Sequence, residues 1–268
     1  MKKTILYLVL IISGLIFLYP FLWMISATFK PEVEIGSIKL WSENFSLNSY
    51  STVFTRIPLG RAFLNSLFVS SCVTFSVILF TSIVGYALSR LRFVGRNLIF
   101  TVILFTMVIP FQLTMIPLYI LMVKLGWIDT YLALIIPGMI SPSGILLFRQ
   151  FFLNVPEELI DAARIDGCND LCILFRIMYP LSKPVIITVG LLTFMGVWND
   201  VLWPIIVIRT RDLMTMPQMV TLFATSGQAE LLGPQLAAAT LLATPIILAY
   251  VFFQRYFIES MSTTGLKG

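Results

Sequence analysis

The residues that could do chemistry in this sequence are few and unevenly placed. There is no histidine among 268 residues, which removes the serine–histidine triads and the histidine-based zinc sites. No G-x-x-x-x-G-K-[ST] loop occurs, so the chain does not cradle ATP phosphates in that way. Of three cysteines, Cys72 lies in an apolar run, and Cys168 and Cys172 stand four apart. Two thiols without a third ligand make a poor zinc site, so all three read as small buried or interface residues. Asp200 follows Asn199 in "VWNDVLWP", and Gln112 and Thr114 lie in "PFQLTMIP". These four are candidate polar groups for a substrate pathway, or helix–helix hydrogen-bond partners. The densest polar cluster is "VPEELIDAARIDGCND", 155–170, with six charged residues: Glu157, Glu158, Asp161, Arg164, Asp166 and Asp170.

The surrounding chain is only 12% charged and 58% hydrophobic, with a mean hydropathy of +0.95. That composition, with apolar runs of roughly 20 residues or more, indicates a polytopic α-helical membrane protein. The net charge of +5 is spread over the ends of the apolar runs. It therefore points to lipid headgroups and membrane topology, not to nucleic acid. Six spans are expected, at about 5–27, 62–88, 98–123, 130–148, 184–208 and 231–254. The second is rich in small residues, Ser66 to Gly85, which suits close helix packing. Pro110 and Pro117 interrupt the third. An N-terminus on the inner side places eleven of the 18 Lys and Arg residues inside, and Arg90, Arg92 and Arg96 are the clearest group. Both termini are then cytoplasmic. The whole chain, 1–268, reads as one domain.

The polar cluster falls in the inner segment 149–183. Pro156 suits a first helical turn, and Glu157 and Glu158 favour its positive end. Leu159, Ala162 and Ala163 are spaced to form an apolar strip. Gly167 breaks the helix, Asn169 or Asp170 caps a second one, and Pro180 ends it. The pattern predicts helix, glycine turn, helix at the membrane surface, suited to docking in a partner's groove.

"DAARIDG" followed by "YP" resembles the EAA loop of ABC-importer permeases. The matching positions are Asp161, Ala162, Ala163, Gly167 and the pair Tyr179–Pro180. Asp replaces the usual Glu, and Tyr replaces the usual Leu. "PFLWMISATFKP", "WNDVLWPIIVI" and "QRYFIESMSTTGLKG" extend the likeness along the chain. They are similar to the carbohydrate branch of that family, and within it to the maltose-type second permease subunit.

The resemblance implies an all-α, type I importer permease fold in a bacterial inner membrane. It implies a heterodimer with a second permease subunit, two ATPase subunits that hold ATP and Mg, and an extracytoplasmic solute-binding protein. No cofactor and no enzymatic activity are then expected on this chain. The family's coupling role carries over to Glu158, Asp161, Ala162, Ala163, Asp166, Gly167 and Pro180, and a tail contact with the ATPase to Thr264, Gly265 and Lys267 within 255–268. The expected cargo is a sugar or oligosaccharide. The alternatives are a related solute such as glycerol phosphate, or an ion-coupled carrier.

Overall fold

The structure is a computed structural model that describes residues 2–225 and 231–265. Every regular element among the described residues is helical. In chain order the α-helices are α1 (Lys2–Ala27), α2 (Asn48–Arg56), α3 (Leu59–Arg90), α4 (Arg96–Thr106), α5 (Phe111–Lys124), α6 (Tyr131–Ile135) and α7 (Pro142–Leu153). They continue with α8 (Glu157–Ile165), α9 (Asp170–Ile173), α10 (Tyr179–Leu181), α11 (Lys183–Trp198), α12 (Leu202–Val207), α13 (Met216–Thr225) and α14 (Leu232–Gly265). The elements group into two compact units. One is built from 1–63 and 215–249, the other from 64–214 and 250–268.

Among the described residues three helical stretches are long and apolar enough to cross a bilayer: Lys3–Ala27, Leu59–Arg90 and Tyr131–Leu153. Two further spans exist only if bent pairs are counted. α4 and α5 form one pair with a 99° bend, and Asp170–Leu181 with Lys183–Trp198 form the other with an 83° bend. The apolar part of α14, Leu232–Leu248, is shorter. The expected third span is therefore not one rod. Pro110 has no N–H to continue the helix and becomes the extended residue that starts α5, while Pro117 stays inside α5 without a break. The expected fifth span also divides. α11 stops at Trp198, and α12 begins only at Leu202.

In the first unit α1 carries lipid-ready side chains: Ile5 to Leu22 are largely exposed apolar residues. The segment after it is tied down by aromatic and polar contacts. Tyr19 donates to the Ile38 carbonyl at 2.9 Å, and Trp23 Nε1 to that of Ser37 at 3.2 Å. Phe29 stacks on Phe45. The Glu32 carboxylate accepts the N–H groups of Leu232 at 2.6 Å and Gly233 at 3.0 Å. It thus caps the first turn of α14, where unbonded N–H groups and the helix dipole favour an anion.

The second unit has the main core, from Val69, Val73 and Val77 on α3 through Phe148 and Phe152 on α7 to Leu174 and Met178. α3 and α7 meet through glycine. A Cβ at Gly85 would stand 2.8 Å from Phe148 Cβ, and one at Gly144 would stand 3.0 Å from Thr81 Oγ1. Their carboxyl-terminal ends cap each other. The Arg90 guanidinium donates to the carbonyls of Phe152 and Val155, and Arg149 Nε donates to that of Leu88 at 3.3 Å. Arg149 also sits 3.9 Å over the Phe100 ring of α4.

A second tie joins two loops. Asp129, at φ 60°, accepts the N–H groups of Arg209 and Thr210, both at 2.9 Å, and the Thr210 hydroxyl. Its own N–H donates to the Val207 carbonyl at 2.8 Å. Hydrogen bonding from Thr210, chiefly its hydroxyl, holds the Asp129 carboxyl below its ordinary range.

Two outcomes follow from this packing. Gly85→Ala pushes α3 off α7 and should cost about 1–3 kcal/mol, read as a lower unfolding midpoint in detergent; an unchanged midpoint would remove the close-approach argument. The Asp129 clamp has a depressed folded-state pKa. Its stabilisation is therefore present above the ordinary carboxylate value of about 3.9 and is lost as pH falls through the depressed value. Asn tolerates positive φ, so Asp129→Asn should keep the fold at neutral pH while its stability depends less on pH in the acid range. Parallel acid-unfolding curves for the two proteins would contradict the clamp.

Candidate functional site

The polar segment forms two short helices around a glycine. α8 starts after the extended Pro156, with Glu157 and Glu158 in its first turn and Arg164 in its last. Each charge thus complements the helix end it occupies. The helix stops in a Schellman arrangement. Gly167 adopts φ +84°, its N–H donates to the Arg164 carbonyl at 3.0 Å, and the Cys168 N–H to that of Ala163 at 2.9 Å. Asn169 is the cap of the next helix: its side chain accepts the Cys172 N–H at 2.8 Å. These local features are as the sequence predicts.

The second helix does not end at Pro180. α9 runs into a π-helical stretch, Leu174–Met178, and then α10, so the helical path reaches Leu181. The Tyr179 N–H donates to the carbonyl of Leu174, five residues back. This wider winding accommodates the missing N–H of Pro180 without stopping the helix. The turn comes at Ser182, just before Pro184 in the first turn of α11.

The buried strip of α8 also differs from the expected one. Ile160 and Ala163 face the core, whereas Leu159 and Ala162 are exposed. The outward face joins Glu158, Leu159, Asp161, Ala162, Ile165 and Asp166, and Ile165 is 86% exposed. An apolar strip did form, but the polar–apolar pattern of nine residues fitted two registers, and packing into the core that also holds Phe152 and Met178 chose the other.

The pair of helices is fastened to α3 from one side. Tyr86 donates its hydroxyl to Asp170 Oδ1 at 3.0 Å, and Arg164 Nη2 reaches the same oxygen at 3.4 Å. The Tyr179 hydroxyl lies 2.9 Å from Ser82 Oγ. Arg164 also approaches Asp161 at 4.0 Å, in a largely exposed pair that adds little. The anchors Tyr86, Arg90 and Ser82 lie some sixty or more positions away in sequence, and no local pattern marks them. Arg90 was legible as a topology charge but not as a cap. All three cysteines are partly exposed, and the sulfurs of Cys168 and Cys172 lie 2.7 Å apart.

Thr114 and Asp200 come together. Both line a cavity of about 430 Å³ with Phe111, Val197, Trp203 and Gly138 among its walls. Its lining includes Phe111 and Thr114 from the start of α5, just after the Pro110 break, and Asp200 from the gap between α11 and α12. Asp200 Oδ1 accepts the N–H groups of Leu202 at 3.1 Å and Trp203 at 3.4 Å, which starts α12. Trp203 is fixed by its Nε1 on the Ala133 carbonyl at 2.8 Å and by an edge contact with Phe111. Gln112 and Asn199 are exposed and are not among the residues lining this cavity; the Asn199 side chain returns to the Met195 carbonyl at 2.8 Å. Thr264 and Gly265 end α14, and Lys267 lies outside the described residues.

Nothing in this set is a nucleophile–base pair, and among the described residues no group of three or more His, Cys, Asp and Glu side chains could hold a metal ion. The arrangement offers instead a rigid surface helix pair and a polar-edged cavity between broken helices. Comparison with known proteins identifies the family of the chain. The arabinooligosaccharides transport system permease protein AraQ of Halalkalibacterium halodurans is 38% identical over 262 residues, which cover 93% of this chain and 91% of that protein. The Bacillus subtilis protein of the same name is 33% identical, covering 95% and 92%. The lactose transport system permease protein LacG of Rhizobium radiobacter is 30% identical, covering 95% and 93%. A chain from the crystal structure of a bacterial ABC transporter involved in the import of the acidic polysaccharide alginate superposes with a TM-score of 0.83 at 26% identity, over 96% of each chain. Residues 77–263 match the family described as the binding-protein-dependent transport system inner membrane component. On these matches and its apolar helices, the chain is a membrane-embedded ABC transport permease and belongs to the family of binding-protein-dependent transport system inner membrane components.

Proposed function

We propose that this chain is one of two permease subunits of an ATP-driven importer that carries a sugar or oligosaccharide inward by alternating access. In this reading it forms one transmembrane domain of six spans with both termini cytoplasmic. α8 and α9 dock on one of two ATPase subunits, which bind ATP and Mg, and a solute-binding protein delivers the cargo from outside. The observation that carries the coupling role is the two-faced α8. Ile160 and Ala163 lock it to the core, while Leu159, Ala162 and Ile165 stay exposed between Glu158, Asp161 and Asp166. Exposed apolar residues on a fastened helix suit a partner's groove. The sugar assignment rests on the names of the relatives, AraQ and LacG. Thr114 and Asp200 at the broken-helix cavity are the proposed pathway groups, and the α14 tail with Thr264, Gly265 and Lys267 is a proposed second ATPase contact.

The mechanism uses the pair as a lever. Nucleotide-bound ATPase subunits close and carry the docked helices with them. Tyr86–Asp170 and Tyr179–Ser82 pass that displacement to α3, and the differential affinity for the closed ATPase pair shifts the permease between its two states. This chain makes and breaks no covalent bond in the process.

Gly167 tests the lever. A Cβ there meets nothing within 4 Å, so the only penalty is the left-handed backbone, about 1–2 kcal/mol. Gly167→Val should insert normally yet transport about tenfold less, whereas Gly167→Asn keeps most of the activity. Full transport by the Val variant sinks the proposal. Tyr86→Phe keeps the ring and removes one anchoring bond, worth about 1 kcal/mol. Less substrate should then be moved per ATP hydrolysed, at an unchanged level of insertion; an unaltered ratio would show that the Tyr86 bond carries no motion.

A further inference from the structure

Cys168 and Cys172 occupy the joint between α8 and α9, and two capping motifs put them there. Cys168 is the residue after the left-handed Gly167, and its N–H closes the end of α8 on the Ala163 carbonyl at 2.9 Å. Cys172 stands in the first turn of the next helix, where its N–H is held by the Asn169 side chain at 2.8 Å. Both backbones are therefore fixed by hydrogen bonds that do not involve sulfur. The side chains that result bring Sγ to within 2.7 Å of Sγ, and both residues are partly exposed. A disulfide sulfur pair is about 2.05 Å apart, so the bond forms if the sulfurs close by about 0.7 Å. The third cysteine, Cys72, lies on α3, far along the chain.

We propose that Cys168 and Cys172 are a reversible disulfide site that staples the turn between α8 and α9. The oxidant is a low-molecular-weight disulfide of the glutathione type. In the reduced pair Cys172 donates its S–H to the Cys168 sulfur, and that bond holds Cys168 above its ordinary thiol pKa. The exchange begins with the Cys172 thiolate. Its sulfur displaces one glutathione thiolate and forms a mixed disulfide. Cys168 then gives up its proton and attacks the Cys172 sulfur, releasing the second glutathione. Two protein thiols are oxidised, one glutathione disulfide is reduced to two thiols, and the two protons end on the leaving groups. The bridge spans Asn169 to Leu171 and ties the end of one cap to the start of the next, so the angle set at Gly167 can no longer relax. On the reading of α8 and α9 as the ATPase-facing lever, oxidation stiffens that lever; the thiol chemistry itself does not depend on that reading.

The test uses the full chain in lipid nanodiscs exposed to glutathione disulfide. Two of the three thiols should disappear while Cys72 remains titratable. The peptide containing 168 and 172 should lose the mass of two hydrogens without gaining glutathione, and a reductant should restore both thiols. Cys168→Ser and Cys172→Ser should each carry a single glutathione on the remaining cysteine of the pair, with Cys72 still free. In the oxidised wild-type chain the amides of Gly167, Cys168 and Cys172 should exchange several-fold more slowly. Retention of all three thiols, or separate glutathione adducts on both cysteines, overturns the site. Unchanged amide exchange after the bridge has formed overturns the staple.

Discussion

The exchange of arginines between α3 and α7 is the interaction on which the rest of the second unit depends. A helix leaves its last carbonyls without partners, and here Leu88, Phe152 and Val155 are buried away from water. Arg90, at the end of α3, donates to the carbonyls of Phe152 and Val155, where α7 finishes. Arg149, near the end of α7, donates to Leu88. Each guanidinium is placed at the negative end of the partner's dipole. Two helices that end side by side must then run parallel and in fixed register. Gly85 lets them come close enough for the arginines to reach.

That register decides where α8 begins. Val155, whose carbonyl Arg90 holds, is followed by Pro156 and the first turn of α8. Ile160 and Ala163 then face the same core that contains Phe148 and Phe152, and Asp170 arrives opposite Tyr86. The helix pair is therefore not a loop draped over the surface. It is joined to α3 at Ser82, Tyr86 and, through the end of α7, Arg90. The same economy appears at the other breaks. Pro110 and the Asn199–Val201 interruption free backbone groups, and Asp200 satisfies the N–H groups of Leu202 and Trp203. Irregular backbone is tolerated in a membrane protein where it lines a cavity, and Asp200 of the second interruption lines the one that also contains Thr114.

What was legible in the sequence was local. The glycine turn follows from Gly167 between two helical patterns, and the cap from Asn169, because each needs only a few neighbouring residues. The class follows from hydropathy alone. The sides of α8 were not legible, since Leu159–Ala162–Ala163 and Ile160–Ala163 are both acceptable strips on a nine-residue helix. Pro180 misled for a related reason. A proline need not stop a helix, as Pro117 inside α5 shows, and at Pro180 the wider π-helical winding of Leu174–Met178 takes up the missing N–H. The 99° bend at Pro110 was readable as an interruption but not as an angle, which neighbouring helices set. Tyr86, Arg90 and Arg149 gave no signal as anchors, because nothing in a single chain links positions sixty or more residues apart.

Asp161 shows how the local and the distant parts meet. A glutamate is usual at this position of the loop that the chain resembles, and Asp has a shorter arm by one methylene. Its side chain is 61% exposed and, among the described residues, pairs only with Arg164, at 4.0 Å. Arg164 is itself drawn toward Asp170 at 3.4 Å, the oxygen that Tyr86 holds. The weak exposed pair therefore competes with a better-placed one, and Asp161 is left with most of its acceptor capacity facing outward. A cationic group on a docking partner would have to come closer by about one carbon–carbon bond, roughly 1.5 Å, than it would for a glutamate. The exposed Ala162 beside it, with no side chain beyond Cβ, would leave room for that approach.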